Sequence, residues 1–134
     1  MRTEVVSVDT STTRFTDLTR PIERFLEDGA EDGLLNVFVP HATAGLAVME
    51  IGSGSERDLE GAVDRLLPRE QRYVHSHGSP GHGADHVLPA FISPSVTVPV
   101  LNGRVQLGTW QSVVLVDLNR DNSQRRVRLS FIAA

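Results

Sequence analysis

The dipeptide Asn102-Gly103 stands between two strand-like runs, residues 96–101 and 104–107. Both residues accept the positive φ of a type I′ turn, whose twist matches that of paired strands, so the pattern predicts a β-hairpin. The chain is thereby committed to antiparallel sheet. Downstream, residues 112–117 are apolar enough for a central strand, and residues 119–124 are polar enough to turn the chain. Residues 126–132 then alternate, with Val127, Leu129 and Phe131 on one face and Arg126, Arg128 and Ser130 on the other. This predicts an antiparallel meander for the C-terminal third.

The first half mixes strands with helices. Residues 4–9 and the apolar run 34–40 read as strands, the second delivering His41 near its end. Residues 16–28 predict a helix with Leu18, Ile22, Phe25 and Leu26 on one face, Pro21 near its start and Gly29 as its stop. Residues 46–51 predict a further strand. Ser53-Gly54-Ser55-Glu56 resembles a capping box ahead of Leu59, Val63, Leu66 and Leu67, one buried helical stripe ended by Pro68. A second helical pattern starts at Val87, with His86 at its boundary. With no repeat or linker in 134 residues, the reading is one α+β domain, residues 1–134, of largely antiparallel sheets in a sandwich-like arrangement with a few short helices. A TIM barrel, needing roughly 200 residues, is excluded.

Composition narrows the chemistry. All 13 basic side chains are arginine and there is no cysteine, which removes lysine Schiff bases, lysine general bases, thiolates and disulfides. A net charge of −4 with scattered arginines gives no stripe for a phosphate backbone, so no nucleic-acid partner is expected. No apolar segment approaches the ~18 residues of a spanning helix, and the N-terminal residues lack a signal-peptide pattern. The expectation is a cytoplasmic protein without a membrane partner.

The five histidines hold most of the remaining information. His41 opens His41-Ala42-Thr43-Ala44-Gly45, where small residues let a ligand approach the backbone, and residues 75–86 contain the other four. Neutral imidazole is the commonest zinc ligand, and three around one ion leave a fourth position for water or substrate. His75, which shares a face with His77 if the segment is extended, and His86, at an element boundary, are the better candidates; His77 and His82 read as bystanders in a Gly/Pro loop. Glu50 reads as an edge carboxylate, a general acid/base or a further ligand. Gly108-Thr109-Trp110-Gln111 interrupts the strand pattern, with Gly108 marking a bulge or close backbone approach, Trp110 a core residue or a ligand platform, and Gln111 a backbone partner or a site residue.

Taken together, Val39-Pro40-His41-Ala42-Thr43-Ala44-Gly45-Leu46, Glu50, residues 58–68, Tyr73-Val74-His75, Asp85-His86, residues 96–103 and Leu107-Gly108-Thr109-Trp110-Gln111 resemble the YjbQ-type family of secondary thiamine-phosphate synthases. The resemblance implies a cytoplasmic homotrimer with a pocket where His41, His75 and His86 gather around a divalent metal, zinc or magnesium. It further implies a secondary ability to join a hydroxymethylpyrimidine diphosphate to a thiazole phosphate. In that reading Glu50 and Gln111 are catalytic, and Thr43, Gly45, Gly108, Thr109 and Trp110 bind the substrate, a small phosphorylated or heterocyclic molecule. Ala42 and Met49 depart from the family pattern, which usually has a small hydroxyl residue and an asparagine there. Two alternatives stand beside the transferase: a metal-dependent hydrolase of a phosphorylated metabolite, and a non-catalytic trimeric module that holds a metabolite or metal.

Overall fold

The computed structural model describes residues 1–27, 29 and 31–134. Its strands are β1 (Arg2–Asp9), β2 (Phe15–Asp17), β3 (Gly33–Phe38), β4 (Gly45–Met49), β5 (Ser95–Leu101), β6 (Arg104–Val105), β7 (Ser112–Val116) and β8 (Gln124–Ala133), and its helices are α1 (Thr19–Glu27), α2 (Ser55–Leu66) and α3 (His82–Val87). A 3₁₀ turn, Leu88–Ala90, continues α3. The strands form a five-stranded sheet in the order β1-β8-β3-β5-β6 and a three-stranded sheet in the order β2-β7-β4. All pairings are antiparallel. The α+β class and the sandwich-like arrangement follow the sequence reading.

The two sheets enclose the main core. Leu35, Val37, Val98, Val100, Val127 and Leu129 of the larger sheet meet Leu46, Val113 and Leu115 of the smaller one, and α1 adds Ile22, Phe25 and Leu26. A second cluster lies on the other face of the small sheet, where Val114 and Val116 pack with Val63, Leu67, Ala84, Leu88 and Leu118. β7 is therefore buried on both faces. That is why residues 113–116 read as a continuous apolar run rather than an alternating one. The second cluster also holds α3, and with it the histidine segment, against the small sheet.

The hairpin forms as the sequence dictates: Asn102 has φ 51° and Gly103 φ 72°, and Leu101 pairs with Arg104. The meander does not. β7 leaves for the other sheet, and β8 returns to lie between β1 and β3. The α1 reading is also corrected. Phe15 to Asp17 pairs with β7 instead of joining the helix, because Asp17 Oδ1 accepts the Thr19 amide at 2.8 Å and its hydroxyl at 2.6 Å, fixing the helix start there. The expected end at residue 28 lies outside the described residues. The capping box before α2 is replaced by Gly54 as N-cap, with no side-chain cap bond; only its reach-back half survives, Glu56 Oε1 accepting the Gly52 amide at 2.8 Å.

Candidate metal centre

α3 begins earlier than the apolar pattern predicts, at His82 rather than after His86. His82 and His86 consequently stand at i and i+4 on one helix face. Their Nε2 atoms are 3.0 Å apart. His75, on the loop before the helix, brings its ring to 4.2 Å from that of His86 and 5.2 Å from that of His82, centroid to centroid. One ligand atom from each of the three lies within 4.8 Å of the others. The His77 ring lies tilted against the group, its centroid 4.1 Å from that of His75 and 4.9 Å from that of His82.

A scaffold of charged and amide groups holds this segment. Asp85, only 1% exposed, pairs with Arg69 and accepts a bond from Asn119 Nδ2 at 2.9 Å. Arg69 also donates to the Pro80 carbonyl, tying the loop to the end of α2. Asp121 Oδ2 lies 2.6 Å from His82 Nδ1 and accepts the Ser79 amide at 3.1 Å. The Asn119 side-chain Oδ1 accepts the amides of Asp121 and Asn122, the Asx-turn geometry that shapes the β7–β8 connection.

The electrostatics favour neutral imidazole. Burial first, then the charges of His77 and His82, depress the His75 pKa. Burial first, then the other three rings of the cluster, depresses that of His86, with Asp85 opposing. The Asp121 carboxyl is held below the ordinary carboxylate range, chiefly by the Ser79 amide. Neutral imidazole at His75 and His86 is the form that accepts a cation.

The donor set fits zinc. Tetrahedral Zn–N bonds of about 2.0–2.1 Å place ligand nitrogens about 3.4 Å apart, a spacing bracketed by the 3.0 Å His82–His86 contact and the 4.8 Å limit of the group. Magnesium, which prefers oxygen, fits three imidazoles poorly. Alongside the cluster lies an open groove of about 290 Å³ bordered by Arg69, Tyr73, His75, His77, Ser79 and His82. A roomier cleft of about 620 Å³, between α1 and the β5–β6 hairpin, includes no histidine.

The remaining candidates are distributed as follows. His41 is not in the group that the chain brings together; its Nε2 accepts the Arg126 amide at 2.9 Å. His82, read as a bystander, takes that place. Thr43 is buried, its hydroxyl accepting from Arg125 Nη2 at 2.9 Å, and a Cβ on Gly45 would collide with the Ile92 carbonyl oxygen. Both positions therefore have structural work. Glu50 and Gln111 stand one residue beyond Met49 and Ser112, the last pair of β4 and β7. Gln111 Oε1 accepts the Gly108 amide at 2.8 Å, closing a turn that leaves Thr109 and Trp110 exposed. Sequence reasoning missed Arg69, Asp85, Asn119 and Asp121 as the support of the cluster. It also missed Arg125, 2% exposed and paired with Asp117 through two bonds of 2.7 and 2.9 Å.

Residues 4–134 match the family model described as UPF0047 protein YjbQ-like. The chain belongs to this family. A UPF0047 protein of Mycobacterium tuberculosis is 61% identical over 132 residues, covering 98% of both chains. Another from Methanothermobacter thermautotrophicus is 34% identical over 116 residues, covering 85% of this chain and 79% of that relative. Among solved structures, a hypothetical protein of Aeropyrum pernix K1 superposes with a TM-score of 0.89 at 29% identity over the whole of both chains. A YbjQ-like protein of unknown function from Sulfolobus solfataricus P2 shares the fold, with a TM-score of 0.87 at 23% identity over 99% of both. Among the described residues no helix is long and apolar enough to cross a membrane.

Proposed function

We propose that this member of the YjbQ-like family is a metal-dependent enzyme acting on a small phosphorylated or heterocyclic molecule, with His75, His82 and His86 as ligands of one zinc ion. The convergence of their ligand atoms within 4.8 Å carries the reading. Zinc with three protein ligands keeps a fourth position open and lowers the pKa of bound water to about 7. Hydrolysis is the reaction that such a donor set supports best. The His82 ring is held by Asp121, and the neighbouring groove receives the substrate. Thiamine-phosphate synthesis is retained as a secondary activity, because diphosphate departure relies on magnesium and oxygen ligands that the cluster does not supply.

In this reading the protein is a cytoplasmic homotrimer, and the trimer is the part that the surface bears on. Its support is the outward face of the larger sheet, where Leu34 and Ile132 pair across β3 and β8 while half exposed, and the exposed Trp110. Light scattering should return a trimer; a monomer at micromolar concentration overturns that part. For the metal, elemental analysis of purified protein should find one zinc per chain. Turnover of a phosphorylated panel should stop on chelation and return with zinc. Stoichiometric zinc with no turnover would instead identify a metal-holding module.

A further inference from the structure

Asp121 Oδ2 lies 2.6 Å from Nδ1 of His82. An ionised carboxylate only accepts hydrogen bonds, so in the neutral ring the single proton belongs to Nδ1 and the lone pair to Nε2. We infer that Asp121 is the positioning residue of the metal centre: it fixes His82 as the Nδ1–H tautomer and so makes Nε2 the ligand atom. The consequence for metal binding rests on the function proposed above, whereas the tautomer does not.

Two further features support the assignment. The carboxylate is itself anchored, since Asp121 Oδ2 accepts the Ser79 amide at 3.1 Å and the Asp121 amide donates to Asn119 Oδ1 at 3.0 Å. It lies in the β7–β8 connection, so His82 is oriented from outside its own helix. The second feature is the partner ring. His82 Nε2 and His86 Nε2 are 3.0 Å apart, a contact that needs one proton between them. With the His82 proton on Nδ1, that proton is on His86. A cation bound by both Nε2 atoms therefore requires His86 to move its proton to Nδ1, while His82 is already in the ligating form.

Ring-nitrogen NMR of ¹⁵N-labelled protein at pH 8 reads both tautomers directly. The expected wild-type pattern is His82 Nδ1–H with and without zinc chloride, and His86 converting from Nε2–H to Nδ1–H as zinc is added. Asp121→Ala should shift His82 toward Nε2–H, the form preferred by an unconstrained side chain, and weaken zinc binding about 10–100-fold in calorimetry. Should Asp121→Ala fail to fold, Asp121→Asn decides: it keeps an acceptor for Ser79 but loses the charge, and its zinc affinity should fall several-fold. His82 found as Nε2–H in the wild type, an unchanged tautomer in Asp121→Ala, or unchanged affinity in Asp121→Asn overturns the inference. A wild-type chain that binds no zinc removes the metal centre, and the ring-nitrogen shifts then still decide the role of Asp121.

Discussion

Thr43 and Asp117 are joined through a single buried guanidinium: Arg125 donates from Nη2 to the Thr43 hydroxyl and to Asp117 Oδ1, both at 2.9 Å, while its Nε reaches Asp117 Oδ2 at 2.7 Å. Thr10 Oγ1 donates to the same carboxylate at 2.7 Å, and the Asn119 amide does so at 3.1 Å. This network binds the His41 loop, the segment after β1 and the connection that carries Asp121. The chain that orients the histidines is thus anchored in the core.

Removing one partner should be costly. Asp117→Ala leaves Arg125 buried without its counter-charge, and the expected destabilisation is about 3–5 kcal/mol, read by denaturant unfolding. Replacing both, as Asp117→Leu with Arg125→Met, should regain much of the loss, because an apolar pair of similar volume avoids the unpaired charge. A single substitution without effect would show that the pair does not organise the core.

Gly45 offers a contrast between two roles. As a substrate contact it would tolerate alanine with weaker binding and an unchanged fold. The structure instead sets the Ile92 carbonyl where a Cβ would go, so Gly45→Ala should cost at least about 1–3 kcal/mol of stability through overpacking. Thermal melting separates the roles, and an unchanged midpoint would contradict the steric one.

The depressed pKa values of His75, His86 and His41 set a pH dependence. A histidine that stays neutral in the fold adds no penalty above its unfolded pKa of about 6.5. Below that, the unfolded chain binds protons that the folded chain refuses, so stability declines as pH falls through about 6.5 and levels off below the folded values. The melting temperature of metal-free protein should drop between pH 7 and 5, less so in His75→Ala or His86→Ala. A flat profile would contradict the depressed values of His41, His75 and His86.

Much of the fold was legible because single residues constrain it locally. Asn102-Gly103 named its turn, and the alternation in residues 127–131 named its inward face. The same alternation, followed back two residues, points Arg125 inward, a signal of the buried pair that a reading begun at Arg126 passes over. Sheet membership was not legible, since the apolar patterns of β7 and β8 mark each as a strand without naming its partners, and only tertiary packing sends them to different sheets. The site was half legible. His75 and His86 do come together, whereas His82, read as a bystander, joins them because Arg69, Asn119 and Asp121 stabilise a helix that begins at the polar His82 and not at the apolar Val87. The i, i+4 spacing of His82 and His86 was the available clue. His41 was placed with the other ligands by family resemblance, while its contact with the Arg126 amide depends on a strand 85 residues away.

The central claim is that His75, His82 and His86 hold one divalent ion. Calorimetric zinc titration at pH 7.5 of wild type and of single alanine variants at all five histidines tests it directly. The account predicts one high-affinity site in the wild type, lost in His75→Ala, His82→Ala and His86→Ala and kept in His41→Ala and His77→Ala. Tight binding that survives His82→Ala, or is abolished by His41→Ala, would contradict it.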